Sequence, residues 1–570
     1  ARAYEGAEPE PSGTSFRRWA RELCALAGDR EAELPLWQAM VAEGDTPLGV
    51  RPLDPAVDTA STVRHLSLSL PAEVTAPLLT EVGAAFRAGV NDVLLTGFAQ
   101  AVADWRGDGS SGVLVDLEGH GREDVVAGVD TSRTVGWFTS MFPVRLDAGG
   151  SGDPGRALKA VKEQLRALPD NGIGYGLLRY VNPDTSGVLA QLPSPQIGFN
   201  YLGRFDAAGG SGAEAAGWSL CSDADLGDGR DPKGRVAHAL EVNAVTLDER
   251  DGPRLVADWS WPAGLFSDEE VRALAEAWFA ALRTLVDHVA GSVGVGGLTP
   301  SDLRPLVSVA QEQIDGLEEE YGGLADVLPL SPLQQGLFFH AVYDEQAEDV
   351  YTVQLALDIE GVVDREALRT AAQTLLSRHS GLRAAFRHEG LDTPVQVIPQ
   401  NVELPWHERD LTALPEAERA AAADRLTAED RTARFDLTAP PLMRFTLLTT
   451  ADDRHRLLLS HHHLLLDGWS MPVFLGELFT LYGNRGDGTV LPKVTPYRDY
   501  LTWVAGQDRE AALTAWRQVL DGLDEPTLLA APDPSRPAVP VVRTRRELSE
   551  DRTAALARWA RARGVTVNTV

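Results

Sequence analysis

The chain has 570 residues, of which 44% are hydrophobic and 24% are charged, a composition typical of globular proteins. This length is too great for one hydrophobic core, so about three or four compact units are expected. Its 83 acidic and 52 basic residues leave a formal charge of −31. That charge argues against nucleic acid or an anionic membrane surface as a partner.

The cysteine count and the first residues indicate where the protein works. Cys24 and Cys221 are the only cysteines, so we predict a reducing, cytoplasmic location and no disulfide framework. No apolar run reaches the roughly 18 residues of a membrane helix. The start, ARAYEGAEPEPSG, has neither a signal pattern nor an initiator Met. The chain is therefore predicted to be intracellular and cut from something longer.

A repeat links the beginning of the chain to its end. TSFRRWARELCALAGDREAELPLWQAM is similar to TPYRDYLTWVAGQDREAALTAWRQVL, and Asp29 and Trp37 fall on Asp508 and Trp516, both 479 positions apart. A second pair of matching blocks has an offset of 477. We therefore expect the back portion of one unit followed by the front portion of another, each incomplete.

The first polar cluster follows a predicted strand. VLVDLE predicts a buried strand that ends at Glu118 and is broken by Gly119 and Gly121. DLEGHGRE therefore lies where loops held by rigid elements carry functional groups. An acidic and basic loop after a strand is more often a solvated turn, so the residues alone leave both interpretations open.

The second polar cluster, SHHHLLLDGWS, follows a predicted hairpin. PLMRFTLLTT and RLLLS alternate on either side of an ADDR turn, and Ser470 is predicted to cap the next helix. The three histidines and Asp467 are thus predicted on a strand-to-helix loop. Ligand spacing for zinc is absent from the sequence, so no metal site is predicted. Taken alone, the histidines are better explained as satisfied loop residues.

The string HHLLLDG resembles the HHxxxDG motif of condensation domains from nonribosomal peptide synthetases. SPLQQGLFFH, RHSGLRAAF, RFDLTAPPLMR and YRDYLTW resemble other signatures of that family, in its order. The resemblance implies that His463 accepts a proton from the attacking amine or orients it, with His462 beside it. It also implies that Asp467 pairs with Arg383 to hold the loop, and that Gly468 leaves room for the pantetheine arm.

DLEGHGRE resembles the corresponding signature of epimerization domains, a branch of the same superfamily. RTVGWFTSMFPV, PDNGIGYGLLRY and GFNYLGRF agree in order. The resemblance implies that Glu118 is an acid/base group at the α-carbon of a thioester. Asn200, Tyr201 and His120 are expected to line the same tunnel, and His120 with Glu123 to support the motif.

The resemblance implies an α/β, chloramphenicol acetyltransferase-like, two-lobed fold, present as two incomplete copies. We predict the late part of an epimerization domain, mainly its second lobe, at 1–300, and a linker at 301–325. A condensation domain would follow, with its first lobe at 326–505 and the start of its second lobe at 506–570. Glu118 and His463 would each represent one wall of a separate site.

The predicted function is that of a fragment of a synthetase. In the intact enzyme, a carrier-bound residue would be epimerized from L to D and then joined to the downstream aminoacyl thioester. The partners would be upstream and downstream peptidyl carrier domains, which present 4'-phosphopantetheine, and adenylation domains; no covalently bound cofactor is expected. The alternatives are a stand-alone acyltransferase of this fold and a non-catalytic docking fragment. AGGSGD and AGGSGA are interpreted as loops rather than carrier attachment sites.

Overall fold

The structure is a computed structural model that describes residues 13–42, 44–150, 152–206, 231–291, 295–343, 350–525, 527–528 and 544–570. AGGSGA, at 208–213, lies outside them. The chain forms two compact units, one of residues 1–329 with 386–401 and one of residues 330–385 with 402–570. Strands and helices alternate in both units, so the predicted α/β class is confirmed.

The first unit contains a six-stranded sheet in the order β1-β6-β5-β4-β2-β3. β4 runs parallel to β2 and β5, and the other neighbours are antiparallel. A smaller sheet has the order β7-β10-β9. The strands are β1 Val63–Leu70, β2 Gly112–Gly119, β3 Ser140–Asp147, β4 Ile197–Asp206, β5 Leu240–Glu249, β6 Gly252–Pro262, β7 Leu324–Pro329, β9 Ala385–Arg387 and β10 Val395–Pro399.

Helices cover one face of the six-stranded sheet. Phe98, Trp259 and Trp278 meet in the buried core, and Trp278 Nε1 donates to the Leu94 carbonyl at 3.0 Å. The helices of this unit are α1 Phe16–Leu26, α2 Leu34–Val41, α3 Ala72–Pro77, α4 Gly83–Phe86, α5 Val90–Arg106, α6 Pro154–Arg166, α7 Ile173–Gly176, α8 Pro183–Leu189, α9 Asp268–Ala290, α10 Pro300–Leu303 and α11 Gln311–Tyr321.

The segment predicted as a linker, 301–325, is largely helical and is tied to α6. Lys159 Nζ lies 2.9 Å from carboxylate oxygens of Asp315 and Glu318. Lys162, which is 1% exposed, donates to both carboxylate oxygens of Asp302 at 2.8 and 2.7 Å. A buried ammonium needs such a partner because its charge is costly to remove from water. This segment therefore belongs to the first compact unit, and the predicted domain boundaries themselves stay a prediction.

The second unit contains a four-stranded sheet in the order β11-β12-β13-β8. The predicted hairpin is confirmed, since β12 and β13 pair antiparallel. One face packs on α13 and α15 through residues such as Leu375 and Phe474, and α14 contributes Ala422 to a cluster with Leu458. The elements are β8 Thr352–Glu360, β11 Trp406–Asp410, β12 Met443–Ala451, β13 Arg454–His462, α12 Pro332–Tyr343, α13 Arg365–Arg378, α14 Glu416–Thr432, α15 Ser470–Gly483, α16 Tyr497–Ala505, α17 Arg509–Val519 and α18 Glu550–Ala562.

Candidate active sites

Glu118 lies on β2, as the sequence predicts, but the strand continues one residue further, to Gly119. Side chains alternate along a strand, so Asp116 and Glu118 share one face of the six-stranded sheet. Val115 and Leu117 point the other way and are buried in the core. β2 thus carries carboxylates on one face and hydrocarbon on the other.

Neighbouring strands continue the polar surface that begins at Glu118. The register joins Asp116 to Gly198, Gly198 to Glu241, and Glu241 to Ser260. A second row, which joins Asn200 to Asn243 and Asn243 to Asp258, lies beside the first. The polar sheet face, as we call it, consists of Asp116, Glu118, Gly198, Asn200, Glu241, Asn243, Asp258 and Ser260.

The environment of Glu118 favours its protonated form. The side chain is half-buried. Burial raises its pKa, the Glu241 carboxylate raises it further, and His238 acts in the opposite direction. Such a carboxyl group is suited to both taking up and returning a proton.

His238 belongs to this site, and the sequence analysis missed it. The residue precedes β5, is 7% exposed, and places Nε2 2.9 Å from Asp116 Oδ2. A Cβ on Gly198 would lie 2.6 Å from His238 Nδ1, so the ring occupies space that only glycine leaves free. The alternation of Glu241 and Asn243 with apolar residues indicates a polar face. It does not identify His238, whose contact with Asp116 spans 122 positions.

The side chains of Asn200 and Tyr201 lie on opposite faces of the sheet, because the two residues are neighbours in β4. Asn200 shares the polar sheet face with Glu118, whereas Tyr201 packs against the core and its hydroxyl lies 2.9 Å from Thr246 Oγ1. Burial raises the pKa of Tyr201. The prediction that Tyr201 lines the same cavity as Glu118 is therefore wrong, since alternation directs its ring to the opposite face.

The rest of DLEGHGRE builds the turn after β2. Gly121 has φ +64°, and a Cβ there would lie 1.7 Å from the Phe138 carbonyl oxygen, so only glycine fits. His120 is exposed, and its Nδ1 accepts from the Arg122 backbone N–H at 3.0 Å. Glu123 accepts from Asn171 Nδ2 at 2.7 Å. These contacts agree with a supporting role for His120 and Glu123; tunnel lining by His120 stays a prediction.

The three histidines are less uniform than predicted. His461 and His462 are the last residues of β13, and only His463 begins the loop, so the predicted loop position is wrong for the first two. His461 and His462 are 2% and 0% exposed, whereas His463 is exposed. Burial lowers the pKa of His461. Of the three histidines, only His463 is therefore exposed.

His463 is held in one orientation by backbone contacts. Its Nδ1 lies 2.8 Å from the Leu466 carbonyl oxygen, and its backbone N–H donates to the Tyr351 carbonyl at 2.9 Å. A carbonyl oxygen can only accept, so Nδ1 carries the hydrogen. In the neutral ring Nε2 then has the free lone pair. This tautomer is the one that a proton acceptor requires.

The partner of Asp467 differs from the one that the family resemblance implies. Asp467 Oδ1 accepts from the Ser470 backbone N–H at 2.8 Å and from its hydroxyl at 2.6 Å. Those bonds lower the pKa of Asp467. Arg383 is buried and donates to the Leu376 and Ser377 carbonyls at 3.4 and 2.5 Å. Asp467 therefore bonds to Ser470, the first residue of α15, instead of pairing with Arg383.

Gly468 lies in the loop that joins His463 to α15. A Cβ on Gly468 would meet no atom within 4 Å, so this part of the loop borders open space. Across the described ranges, no three His, Cys, Asp or Glu side chains converge in a way that could hold a metal ion. In the same ranges, no helix has the length and apolarity required to cross a membrane.

The Condensation domain family model matches residues 1–302 and again 324–570. The chain therefore belongs to the condensation-domain family, an acyltransferase class, and the resemblance to nonribosomal peptide synthetases is confirmed. It is 37% identical to a linear gramicidin synthase of Brevibacillus parabrevis over 98% of this chain and 7% of that relative. It is 31% identical to bacitracin synthase 1 of Bacillus licheniformis over 98% of this chain and 10% of that relative. The chain thus spans a tenth or less of these two relatives.

Among solved structures, the epimerization domain from the third module of tyrocidine synthetase B is 30% identical, with a TM-score of 0.43 over 50% of this chain and 62% of that one. The first condensation domain of the calcium-dependent antibiotic synthetase, in complex with a substrate analogue, is 24% identical, with a TM-score of 0.35 over 42% of this chain and 56% of that one.

Proposed function

We propose that the first unit supplies an epimerase wall and the second an amide-forming wall of a nonribosomal peptide synthetase. The observation that carries the first part is the polar sheet face, where Glu118 is half-buried beside a second carboxylate. The second part rests on His463, whose Nδ1 contact leaves Nε2 as the acceptor.

Epimerization requires removal and return of the α-proton of a thioester-bound residue. The thioester carbonyl makes that hydrogen acidic by stabilising the carbanion that forms. Glu118 exchanges this proton on one side of the α-carbon, and a second acid/base group acts on the other side. The raised pKa of Glu118 brings its proton affinity closer to that of a reactive carbon acid.

Amide formation joins an amine to a thioester carbonyl and expels the thiol of the pantetheine arm. His463 Nε2 accepts a proton from the amine or a hydrogen bond that directs its lone pair. Asp467 supports this loop through its bonds to Ser470, the first residue of α15. The open space at Gly468 suits the approach of the arm.

The order of the two units suggests the stereochemistry. Because an epimerase wall precedes the amide-forming one, we propose a D-configured donor and an L-configured acceptor. The partners would be carrier domains that present 4'-phosphopantetheine, together with adenylation domains, in the cytoplasm. The chain on its own is expected to turn over neither reaction, since the repeat supplies one wall of each site.

A pair of substitutions in the synthetase that contains this chain tests the assignment. Glu118→Gln should lower the rate of D-epimer formation by about 10²–10⁴-fold and leave condensation of a supplied D-configured donor intact. His463→Ala should give the reverse pattern. Chiral chromatography of the carrier-bound residue and mass spectrometry of the product report the two steps.

Two exposed residues serve as matched controls. Glu269→Gln on α9 and His407→Ala on β11 remove the same chemical groups away from both sites and should leave both rates unchanged. Normal epimerization by Glu118→Gln would refute the epimerase assignment. Comparable condensation rates with D- and L-terminated donors would refute the stereochemical part.

A further inference from the structure

The polar sheet face brings three carboxylates close to one imidazole. Asp116 and Glu118 project from β2, and Glu241 lies across β4 on β5. His238 precedes β5, bonds to Asp116, and interacts electrostatically with Glu118. A basic ring in an otherwise acidic cluster controls how much negative charge the cluster carries.

The His238 ring is held by a hydrogen bond at one nitrogen and packs closely against Gly198 at the other. Asp116 Oδ2 holds Nε2 at 2.9 Å, and the absence of a side chain at Gly198 admits the other edge of the ring. Within the described part of the chain, His238 Nδ1 is buried without a hydrogen-bond partner. An unsatisfied polar atom in a buried ring costs stability, which marks the arrangement as one that packing alone does not favour.

We propose that the His238–Asp116 pair is a positioning device for Glu118, which places a basic ring beside the three carboxylates and controls how readily Glu118 releases and takes up the α-proton. The inference rests on the proposed epimerase role of Glu118 and adds His238, which lies outside the recognised motifs. His238 acts through Glu118 and is a positioning residue, without contact to the reacting atoms.

The sign of the effect follows from the charges. His238 favours ionised Glu118, whereas burial and Glu241 oppose ionisation. Replacing the ring with a neutral amide makes Glu118 hold its proton more tightly. Other titratable groups belong to the elements around Glu118 and contribute a background that the substitution leaves unchanged; these are Asp258 on β6, His65 on β1 and Tyr175 on α7.

Replacing His238 should move the pH–rate profile in the same direction for both proton transfers by Glu118. When Glu118 removes the proton, it must be ionised, and the acid limb of the rate profile should move to higher pH. When Glu118 returns the proton, it must be protonated, and the alkaline limb should also move to higher pH. Measuring epimerization from the L side and from the D side therefore gives two independent tests.

The primary variant is His238→Gln, which keeps a donor for Asp116 and removes the basic ring. The synthetase that carries this variant should still epimerize. The limb of the pH–rate profile that reports Glu118 should move to higher pH whether epimerization is measured from the L side or from the D side. The control is His288→Gln on α9, a histidine 3.6 Å from Asp153 and outside the polar sheet face. This control should leave the profile in place.

Gly198→Ala is a second route that leaves His238 in the chain. Its Cβ would lie 2.6 Å from Nδ1 and must displace the ring. The same upward shift is expected, and the double variant Gly198→Ala/His238→Gln should show no more than His238→Gln alone, because both changes act on one ring. If His238→Gln does not fold, the glycine variant still decides the matter.

The outcomes separate this inference from the proposed function. Normal epimerization by Glu118→Gln would remove the epimerase assignment itself. If Glu118→Gln abolishes epimerization but the limb stays in place, or moves to lower pH, with His238→Gln and Gly198→Ala, only the positioning role is overturned. An upward shift shared by His238→Gln and Gly198→Ala, and absent from His288→Gln, supports it.

Discussion

Trp37 and Trp516 occupy equivalent positions of the repeat and have different environments. Trp37 is fully buried, its Nε1 lies 3.2 Å from Glu33 Oε2, and its ring centroid is 5.4 Å from that of Tyr175. Trp516 lies on α17 and is 63% exposed. Similar sequences therefore specify similar helices with a tryptophan on one face. Whether that face is buried depends on the rest of the fold.

The largest expected effect comes from truncating the two tryptophans. Trp37→Ala should destabilise the first unit by about 3–5 kcal/mol, because it removes a fully buried ring from the core. Trp516→Ala should change stability by no more than about 0.5 kcal/mol. Chemical denaturation followed by tryptophan fluorescence and circular dichroism measures both. Equal losses would show that the two helices are packed alike in solution.

A smaller effect is expected at the cap of α15 in the second unit. Asp467→Ala removes the acceptor for Ser470 and should cost about 1 kcal/mol. Asp467→Asn keeps an oxygen at that position and should cost less. The thermal unfolding midpoints of these two variants separate capping from charge pairing. If the asparagine variant is as unstable as the alanine variant, a charge partner such as Arg383 is required after all.

The smallest effects should come from two carboxyl groups of the first unit, Asp58 and Glu118, whose ionisation changes the stability of the fold in opposite directions. Arg51 bonds to Asp58 at 2.6 and 2.7 Å and lowers the pKa of that carboxyl group. Ionised Asp58 therefore adds stability above its unfolded-state pKa, and this contribution is lost as pH falls through its folded-state pKa. Asp58→Asn should reduce the unfolding midpoint at pH 7 and have little effect once pH is below that folded value.

Glu118 provides the contrasting case. Its pKa is raised by burial and then by Glu241, so its ionisation opposes folding at neutral pH, and this cost decreases as pH falls below the raised value and is gone below the unfolded-state pKa. Glu118→Gln should therefore raise the unfolding midpoint at pH 7 and lose that advantage in acid. A variant less stable than the parent at pH 7 would show that the carboxylate is better satisfied than its surroundings indicate.

Local patterns predicted the elements that carry both sites. The alternation of Met443, Phe445 and Leu447 predicted a hairpin, and VLVDLE predicted the strand that ends near Glu118. The hairpin strand shows the period-two hydrophobicity of a strand with one face on a core, whereas VLVDLE begins with a short apolar run that is buried on both faces. The end of β13 was placed too early, since the buried imidazoles of His461 and His462 continue the strand that the apolar run begins.

Partners distant in the sequence could not be predicted in the same way. The resemblance implied that Asp467 pairs with Arg383, 84 positions away, whereas Asp467 accepts from Ser470, three residues away. His238 reaches Asp116 only because parallel pairing of β4 with β2 and β5 brings Gly198 between them. The separation of 122 positions between His238 and Asp116 is one that no short motif could encode.

By itself, the sequence determined the family, the α/β class, and the strands and loops that hold Glu118 and His463. These follow from short-range sterics and from hydrophobic periodicity, which act within a few residues. Only the tertiary structure decided which side chains share a face with Glu118, that Tyr201 faces away from it, and that Trp37 is buried while Trp516 is exposed. Those outcomes depend on strand register and on packing between distant segments, which no single stretch of sequence contains.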